Sequence, residues 1–381
     1  MLTVCLLIGW NYWAPLFLWS TPFALYGGSS QDFHTFYLAG KSWLSHGNPY
    51  NVNGGPTAFI YPPTSLPIFG LFGLVDFRLA SQLWIVTYFS LFVVALVAIA
   101  LTLKSDRRNV YVSIAVLLFL TSYPLFIMFQ LGQSDLLVAS FAILSLVCER
   151  FKHRLTSAVM LSVATLLKGP AVLLLIYFVL FRKDFGYLAR FLASTLLVVA
   201  VSLFIVPIQL YWYYAVNVLP TFSTSFALDS NQSITGLVSL AKLTQITPVV
   251  SVAGFVLFGI FAYWISSRKW VVDRPALYGD GMFLMNVLVV LLFGPRSTVY
   301  PYVVVILPLA LFLSGLLMER VRSAYLVAAG VGTFLLNSTI SPDFLNYRTI
   351  PLGLIGNVLM TIALILLYVR PNSVFQRIRK V

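Results

Sequence analysis

The 381-residue sequence has few charged side chains and almost no cysteine. Asp, Glu, Lys and Arg make up 9% of it, where a soluble domain has about 25%. The two cysteines, Cys5 and Cys148, are too few for a disulfide framework. The sequence also has no P-loop, no Gly-x-Gly-x-x-Gly motif, no Asp-x-Asp pair and no Cys/His cluster. These absences exclude the usual soluble nucleotide and zinc sites.

Apolar residues, by contrast, make up 60% of the chain. This excess predicts an all-α polytopic membrane protein that forms one integral domain over residues 1–381 and has the lipid bilayer as its surroundings. Apolar runs that can cross the membrane, alone or as paired short helices, predict a bundle of about twelve transmembrane helices. They lie at residues 3–26, 80–103, 110–129, 134–148, 155–167, 169–181, 187–210, 248–266, 276–293, 299–317, 323–339 and 350–369.

The distribution of basic residues predicts the orientation of the bundle. The net charge is +13, but Lys and Arg are scattered between apolar runs, so we expect no nucleic-acid partner. Most of the basic residues fall in turns on one face, which the positive-inside rule assigns to the cytoplasm. The long segments 27–79 and 211–247 then lie on the opposite, outer side. Because function concentrates in long connections, we expect the active site to face the periplasm or the exterior. The protein itself is expected to be a multi-pass protein of a prokaryotic plasma membrane.

The first outer segment contains the stretch QDFHTFYLAGKSWLSHGNPY, residues 31–50. Its apolar residues recur at helical spacing from Phe33, which predicts an amphipathic helix lying on the membrane, ending at Gly47. Asp32 stands at its start, where it is either a helix cap, a catalytic carboxylate or both. A second, short run at 64–75 predicts an interfacial or re-entrant helix.

A recessed lysine is the second signal. The segments 155–167 and 169–181 are each too short to cross alone and meet at the sequence LLKGPA. Lys168 would therefore lie at membrane depth in irregular backbone, where an ionisable residue is a candidate functional group. The alternative is a lysine that reaches the headgroups without a specific ligand. Further outer-side candidates, for which an ordinary loop contact is an equal alternative, are Gln133, Asp135, Asn231, Gln232 and Arg296; Asn231 also opens a glycosylation sequon.

Several of these segments resemble glycosyltransferase family 87, the polyprenyl-phosphate-mannose-dependent mannosyltransferases of the GT-C superfamily. They are DFHTFYLAGKSWLSHGNPY, FIYPPTSLPIF, LGQSDLL, LLKGPAVLLLIYFVLFRK and NQSITGL, in that order. The resemblance implies a GT-C type bundle with juxtamembrane helices in the first outer loop. It implies that Asp32 is the catalytic base and Lys168 a basic residue of the K-x-P turn. Two positions depart from the family pattern: Tyr300 stands where a histidine is common, and Asp135 where an asparagine is common.

Taken together, these features predict an inverting glycosyltransferase. It would move a sugar, mannose by resemblance, from a polyprenyl-phosphate donor to a hydroxyl of a glycan or glycolipid acceptor on the non-cytoplasmic face. Asp32 would be the catalytic base, and Lys168 and Arg296 would hold the donor phosphate. We expect no bound metal or cofactor, with a divalent cation left open. The residues expected to contact substrate are His34, Tyr37, Lys41, Tyr61, Gln133, Asp135, Asn231, Gln232 and Tyr300.

Two other functions remain open at this point. One is a flippase or transporter of lipid-linked sugars, whose polar groups should lie near mid-membrane and open to both faces. The other is a polymerase or ligase of lipid-linked glycans, which would more naturally use a diphosphate donor.

Overall fold

The computed structural model describes residues 31–52, 58–223, 231–295, 297–298, 300–319, 321–337 and 352–369. Most of these residues are helical, and none of them belongs to a β-strand. The predicted all-α class is therefore confirmed for this part of the chain. The predicted first span, residues 3–26, lies outside it.

The α-helices are numbered here in chain order over the described residues. They are α1 (Gln31–Leu44), α2 (Leu66–Gly73), α3 (Phe77–Leu101), α4 (Ser105–Thr121), α5 (Tyr123–Leu131), α6 (Asp135–Arg150), α7 (Arg154–Leu167), α8 (Phe185–Ser202), α9 (Ile208–Tyr213), α10 (Ile234–Leu240), α11 (Thr247–Ile265), α12 (Lys269–Asp273), α13 (Pro275–Phe293), α14 (Ile306–Leu317), α15 (Ser323–Asn337) and α16 (Leu352–Val369). Short 3-10 helices occupy Pro63–Ser65, Gly169–Leu174, Leu219–Ser223, Thr244–Ile246 and Tyr300–Val305, and π-helices Ile176–Phe181 and Tyr214–Val218.

Five helices in the described residues are long and apolar enough to cross a membrane: α3, α8, α11, α13 and α16. The bent pair α4 and α5 would make a sixth if it counts as one span. Other predicted spans correspond to shorter apolar helices, such as α7 and α15. The structure thus supports a membrane protein, while the total of about twelve spans stays a prediction.

The chain divides into two compact units. The first unit comprises Met1–Ile99, Leu125–Val172 and Ala189–Ser223, and the second comprises Ala100–Pro124, Leu173–Leu188 and Thr224–Val381. The first unit holds α1 and α2 together with most of the candidate residues of the first outer segment.

The aromatic stripe of α1 packs inside the first unit. Phe33 and Phe36 are 0% and 3% exposed. The Phe33 ring stacks on Trp84 with centroids 5.5 Å apart, and Phe36 meets the edge of Tyr61 at 4.7 Å. The prediction that this stripe faces the lipid is wrong, because the segment that follows α1 supplies aromatic side chains that bury it. Such burial of each ring is worth roughly 1.5–3 kcal/mol.

Helices α1 and α2 approach each other closely at a glycine. A Cβ atom placed on Gly40 would lie 2.3 Å from the backbone oxygen of Phe69, which is far inside van der Waals contact. On the facing helix, a Cβ on Gly70 would lie 2.6 Å from the Trp43 ring. Only residues without side chains fit at this crossing. The short α2 is thus confirmed as a helix, and it packs on α1.

The end of α1 differs in detail from the prediction. The left-handed residue is His46, with φ of 60°, and not Gly47. The amide of Gly47 donates to the Ser42 carbonyl at 2.7 Å, the bond that characterises a Schellman cap. Histidine in this conformation is uncommon, although less so than for most residues other than glycine.

In the second unit, α13 is buried along almost its whole length, as expected of a helix that is apolar on every side. Its Asp280 carboxylate accepts a hydrogen bond from the Arg107 guanidinium of α4. The same guanidinium donates to the Leu311 carbonyl at 2.8 Å and to the Ser314 hydroxyl at 3.2 Å. This buried charge is therefore both paired and hydrogen-bonded, which keeps its desolvation cost low.

Candidate functional site

Asp32 lies in the first turn of α1, where the helix dipole favours a carboxylate. Its Oδ2 accepts a hydrogen bond from the Gln133 side-chain Nε2. Asp32 is partly exposed, whereas Gln133 is 6% exposed. A buried neutral amide thus fixes the direction of a carboxylate that still reaches the surface of the first unit.

Gln133 is itself held in place by buried groups. Its Oε1 accepts from the Tyr61 hydroxyl at 3.1 Å, and the same hydroxyl lies 3.0 Å from the Ser134 Oγ. Because Tyr61 occupies the amide oxygen, the amide nitrogen must point toward Asp32. The three residues form a short chain of hydrogen bonds that ends at the carboxylate.

The position of Gln133 follows from how α5 ends. Gly132 takes a left-handed conformation with φ of 68°, and its amide donates to the Met128 carbonyl at 2.9 Å. The Gly132 carbonyl accepts the indole N–H of Trp84 at 2.8 Å. A glycine at the end of a helix is suited to this turn. It directs Gln133 and Ser134 past Asp32 before α6 begins at Asp135.

Lys168 forms an ion pair with Asp135, the first residue of α6. Its Nζ lies 2.7 Å from both carboxylate oxygens. The Asp135 side chain is 3% exposed and that of Lys168 27%. Lys168 has extended backbone between α7 and the 3-10 helix at Gly169–Leu174, so the predicted break at this residue is confirmed. Its pairing with Asp135 was not predicted from the sequence.

One three-residue segment therefore anchors two charged groups. Gln133 binds Asp32 and Asp135 binds Lys168. Consecutive Cα atoms are 3.8 Å apart, so the Cα atoms of the two anchors are separated by at most about 7.6 Å. The arrangement places a carboxylate with a neutral partner and an ammonium with a charged partner on the same turn.

Tyr37 and His34 on α1 contact residues 75–77, and Lys41 contacts Tyr37 within α1. The Tyr37 hydroxyl donates to the Val75 carbonyl at 3.0 Å. The His34 ring lies 4.7 Å from that of Phe77, and the Lys41 ammonium lies 5.8 Å from the Tyr37 ring. The first two contacts join α1 to the start of α3 and the turn before it. A substrate contact for the three residues stays a prediction.

Asn231 and Gln232 lie in the second unit, at the start of α10. Asn231 is buried, and its Nδ2 donates to the Pro295 carbonyl at 3.0 Å. The Gln232 amide donates to the Ser297 carbonyl at 2.7 Å, and its own carbonyl accepts from the Tyr302 hydroxyl at 2.7 Å. These bonds fix the segments on either side of residue 296. The sequon at Asn231 is buried in this arrangement, which excludes its use while the unit is folded.

Two predicted residues cannot be placed further. Arg296 and its predicted approach to Lys168 lie outside the described residues. Tyr300 begins the 3-10 helix Tyr300–Val305, and its side chain is outside the description. In the described part of the chain, no three His, Cys, Asp or Glu side chains gather where they could hold a metal ion.

Comparison with known protein families places the chain in a family. The sequence model of the family described as glycosyltransferase family 87 matches residues 59–295, which is more than half of the chain. The matched range includes Tyr61, Gln133, Asp135 and Lys168, while Asp32 precedes it. No curated protein matches the chain.

Proposed function

Since the chain belongs to glycosyltransferase family 87, it is a glycosyltransferase, and we propose that its donor is a polyprenyl-phosphate sugar. The sugar, mannose in this proposal, passes with inversion to a hydroxyl of a glycan or glycolipid acceptor. The reaction takes place on the non-cytoplasmic face of a prokaryotic plasma membrane. Asp32 is the catalytic base.

The observation that carries this proposal is the chain of hydrogen bonds from Tyr61 through Gln133 to Asp32. Two of its members, Tyr61 and Gln133, lie in the range that the family matches. A base must be held in a fixed direction and must remain able to accept a proton. The Gln133 amide serves the first need, because it is a neutral donor that fixes the direction of one carboxylate oxygen.

In the proposed reaction, the acceptor hydroxyl oxygen attacks the anomeric carbon and forms the new glycosidic bond. The bond from that carbon to the phosphate oxygen breaks, and its electron pair leaves with the polyprenyl phosphate. The hydroxyl proton passes to the Asp32 carboxylate. The leaving phosphate needs no general acid if a cation stabilises its charge, and Lys168 is the candidate cation in the first unit.

The two competing functions make different use of these residues. A flippase or transporter has no need for an oriented carboxylate at one end of α1. A polymerase or ligase would use a diphosphate donor, which the panel described next includes. Transfer of sugar to any acceptor would exclude pure transport.

The experiment compares purified wild-type protein with Asp32→Asn on a panel of radiolabelled polyprenyl-phosphate and polyprenyl-diphosphate sugars. Asparagine keeps the size of the side chain and removes its basicity. We expect Asp32→Asn to fold and bind donor while its transfer rate falls by about 10²–10⁴-fold, the usual value of general-base catalysis.

The chain offers a matched control in Asp76. Its carboxylate Oδ1 accepts the backbone amides of Arg78 and Leu79 at 3.0 and 3.1 Å, as a helix cap at the start of α3. Asparagine is an equally good cap, so Asp76→Asn should transfer sugar at the wild-type rate. If Asp32→Asn did the same, Asp32 would be no more than a residue of the first helical turn.

A further inference from the structure

The first unit contains a cavity of about 510 Å³ between the end of α1 and the beginning of α9. No part of the mechanism above uses it. Its lining includes two aromatic rings, an imidazole and two carboxamides, together with apolar residues of α9 and the turn before it. The members that matter here are Trp43, His46, Asn48, Gln209, Leu210 and Tyr213.

The described lining has no carboxylate, ammonium or guanidinium group, because none of its residues is Asp, Glu, Lys or Arg. It therefore lacks the side chains that most often pair with a charged ligand. Flat aromatic surface beside amide and imidazole groups suits a ligand that has both apolar C–H faces and hydroxyl groups. A neutral sugar has both.

The Tyr213 ring of the cavity wall is held by neighbouring residues. The Tyr213 ring stacks on Tyr50 with centroids 5.5 Å apart, and its hydroxyl donates to the Asn51 Oδ1 at 3.0 Å. Burial, with smaller contributions from Tyr214 and Tyr211, raises the pKa of Tyr50. Burial also raises the pKa of Tyr214 to about 12. These phenols therefore carry no charge at physiological pH.

The polar groups remain available for a ligand. Within the described residues, no hydrogen bond engages the His46 imidazole, the Gln209 carboxamide or the Asn48 side-chain nitrogen. The side-chain oxygen of Asn48 accepts a hydrogen bond from the Tyr50 backbone amide at 3.0 Å. His46 occupies the left-handed position that glycine usually takes at a helix end. An unusual backbone conformation at a cavity wall is a common feature of binding sites.

The position of the cavity relative to Asp32 indicates which part of a substrate it could hold. Trp43 lies eleven residues after Asp32 on the same helix, which corresponds to about 16 Å at 1.5 Å per residue. A sugar bound in the cavity is therefore too far away to react with the donor at Asp32. It must belong to a molecule that extends along α1.

We propose that this cavity binds a neutral sugar unit of an extended glycan acceptor, remote from the hydroxyl that reacts. This inference rests on the proposed function, because it takes the acceptor to be a glycan. The aromatic rings pack against the sugar face, and His46, Asn48 and Gln209 hydrogen-bond its hydroxyls. The cavity then sets the length of acceptor that the enzyme prefers.

The first test measures binding without turnover. Isothermal titration calorimetry of the full chain in nanodiscs, without donor, would follow α-linked mannotetraose and its dodecyl glycoside. Gln209→Ala removes one neutral hydrogen bond, so both ligands should bind about 2- to 10-fold more weakly. Tyr213→Ala should weaken both further, and Tyr213→Phe, which keeps the ring, should restore binding.

The control is Gln245→Ala. Gln245 is exposed like Gln209, but it lies in the second outer segment and outside the cavity. It should bind both ligands like the wild type. If Gln209→Ala and Gln245→Ala behaved alike, the proposal would be overturned. It would also be overturned if the cavity variants changed only the binding of the dodecyl glycoside, because the cavity would then hold a lipid chain.

The second test separates this inference from the proposed function. The donor is polyprenyl-phosphate mannose, and kcat/KM is measured for two acceptors, dodecyl mannotetraoside and dodecyl mannoside. The ratio of the first value to the second should fall in Gln209→Ala and stay unchanged in Gln245→Ala. An unchanged ratio in an active Gln209→Ala enzyme would overturn the cavity assignment alone. Binding that depends on Gln209 in a protein that transfers no sugar would support the cavity and overturn the proposed donor chemistry.

Discussion

The ion pair between Lys168 and Asp135 gives the sharpest prediction, because its two members differ in exposure. The Asp135 side chain is 3% exposed and that of Lys168 is 27% exposed. Removing one member of a buried pair costs about 3–5 kcal/mol, since the other is left as an uncompensated charge. Lys168→Met leaves a fully buried carboxylate behind, whereas Asp135→Asn leaves an ammonium that water can reach.

We therefore expect an asymmetric loss of stability. Lys168→Met should approach the upper end of that range, about 5 kcal/mol, and Asp135→Asn the lower end, about 3 kcal/mol. The double variant should recover most of the loss, because it leaves no unpaired charge. Thermal unfolding of the four proteins in the same detergent measures this cycle. Single variants that unfold at the wild-type temperature would refute the argument.

The same variants test whether Lys168 also binds the donor phosphate. A charge-assisted hydrogen bond contributes about 1.5–3 kcal/mol, so its loss in Lys168→Met should weaken binding of radiolabelled polyprenyl phosphate by about 10- to 100-fold. Asp135→Asn keeps the ammonium and removes the carboxylate that competes for it, so it should bind polyprenyl phosphate at least as tightly as the wild type. If Lys168→Met lost stability but bound polyprenyl phosphate normally, Lys168 would have a structural role only. Lys168→Arg, which keeps the charge, is the control.

Two further predictions concern the packing of α1. Gly40→Ala places a Cβ 2.3 Å from a backbone oxygen of α2 and should lower the free energy of unfolding by about 1–3 kcal/mol. The control is Gly330→Ala, whose new Cβ has no described atom within 4 Å and which should raise the free energy of unfolding by about 1 kcal/mol. Equal melting temperatures of the two variants would contradict this prediction. Phe36→Asp puts a charge at a site that is 3% exposed. The loss of stability should exceed the roughly 3–5 kcal/mol of a Phe→Ala change, so that little folded protein is recovered. A folded but inactive variant would instead indicate that Phe36 faces the lipid.

The sequence predicted the existence of α1 and of its apolar stripe correctly, but not what covers the stripe. Helical spacing shows that one face of a helix is apolar, and it does not show whether lipid or protein lies against that face. The cover comes from Phe69 and Trp84, which lie on α2 and α3. Gly40 and Gly70 carried some signal, since glycines inside apolar helices often mark a close approach of two helices.

The break at Lys168 was predictable for a different reason. Two apolar segments too short to span the bilayer meet at Gly169 and Pro170, and local chemistry alone stops a helix there. The partner of Lys168 was not predictable in this way, because Asp135 is 33 residues away along the chain. The available signal was electrostatic: both are charged residues in strongly apolar surroundings, and such residues tend to pair.

In the proposed reaction, the contacts of Asp135 argue against this carboxylate as the base. Asp135 shares both of its oxygens with the Lys168 ammonium, so a proton could reach it only by breaking the ion pair in a buried site. Asp32 is partly exposed and takes a neutral amide at Oδ2, which leaves its charge uncancelled by that partner. A base in the proposed reaction must attract a proton late, as the hydroxyl attacks. Asp135, held by both oxygens in a buried ion pair, is poorly suited to that step, so in the proposed reaction its task is to hold Lys168 in place.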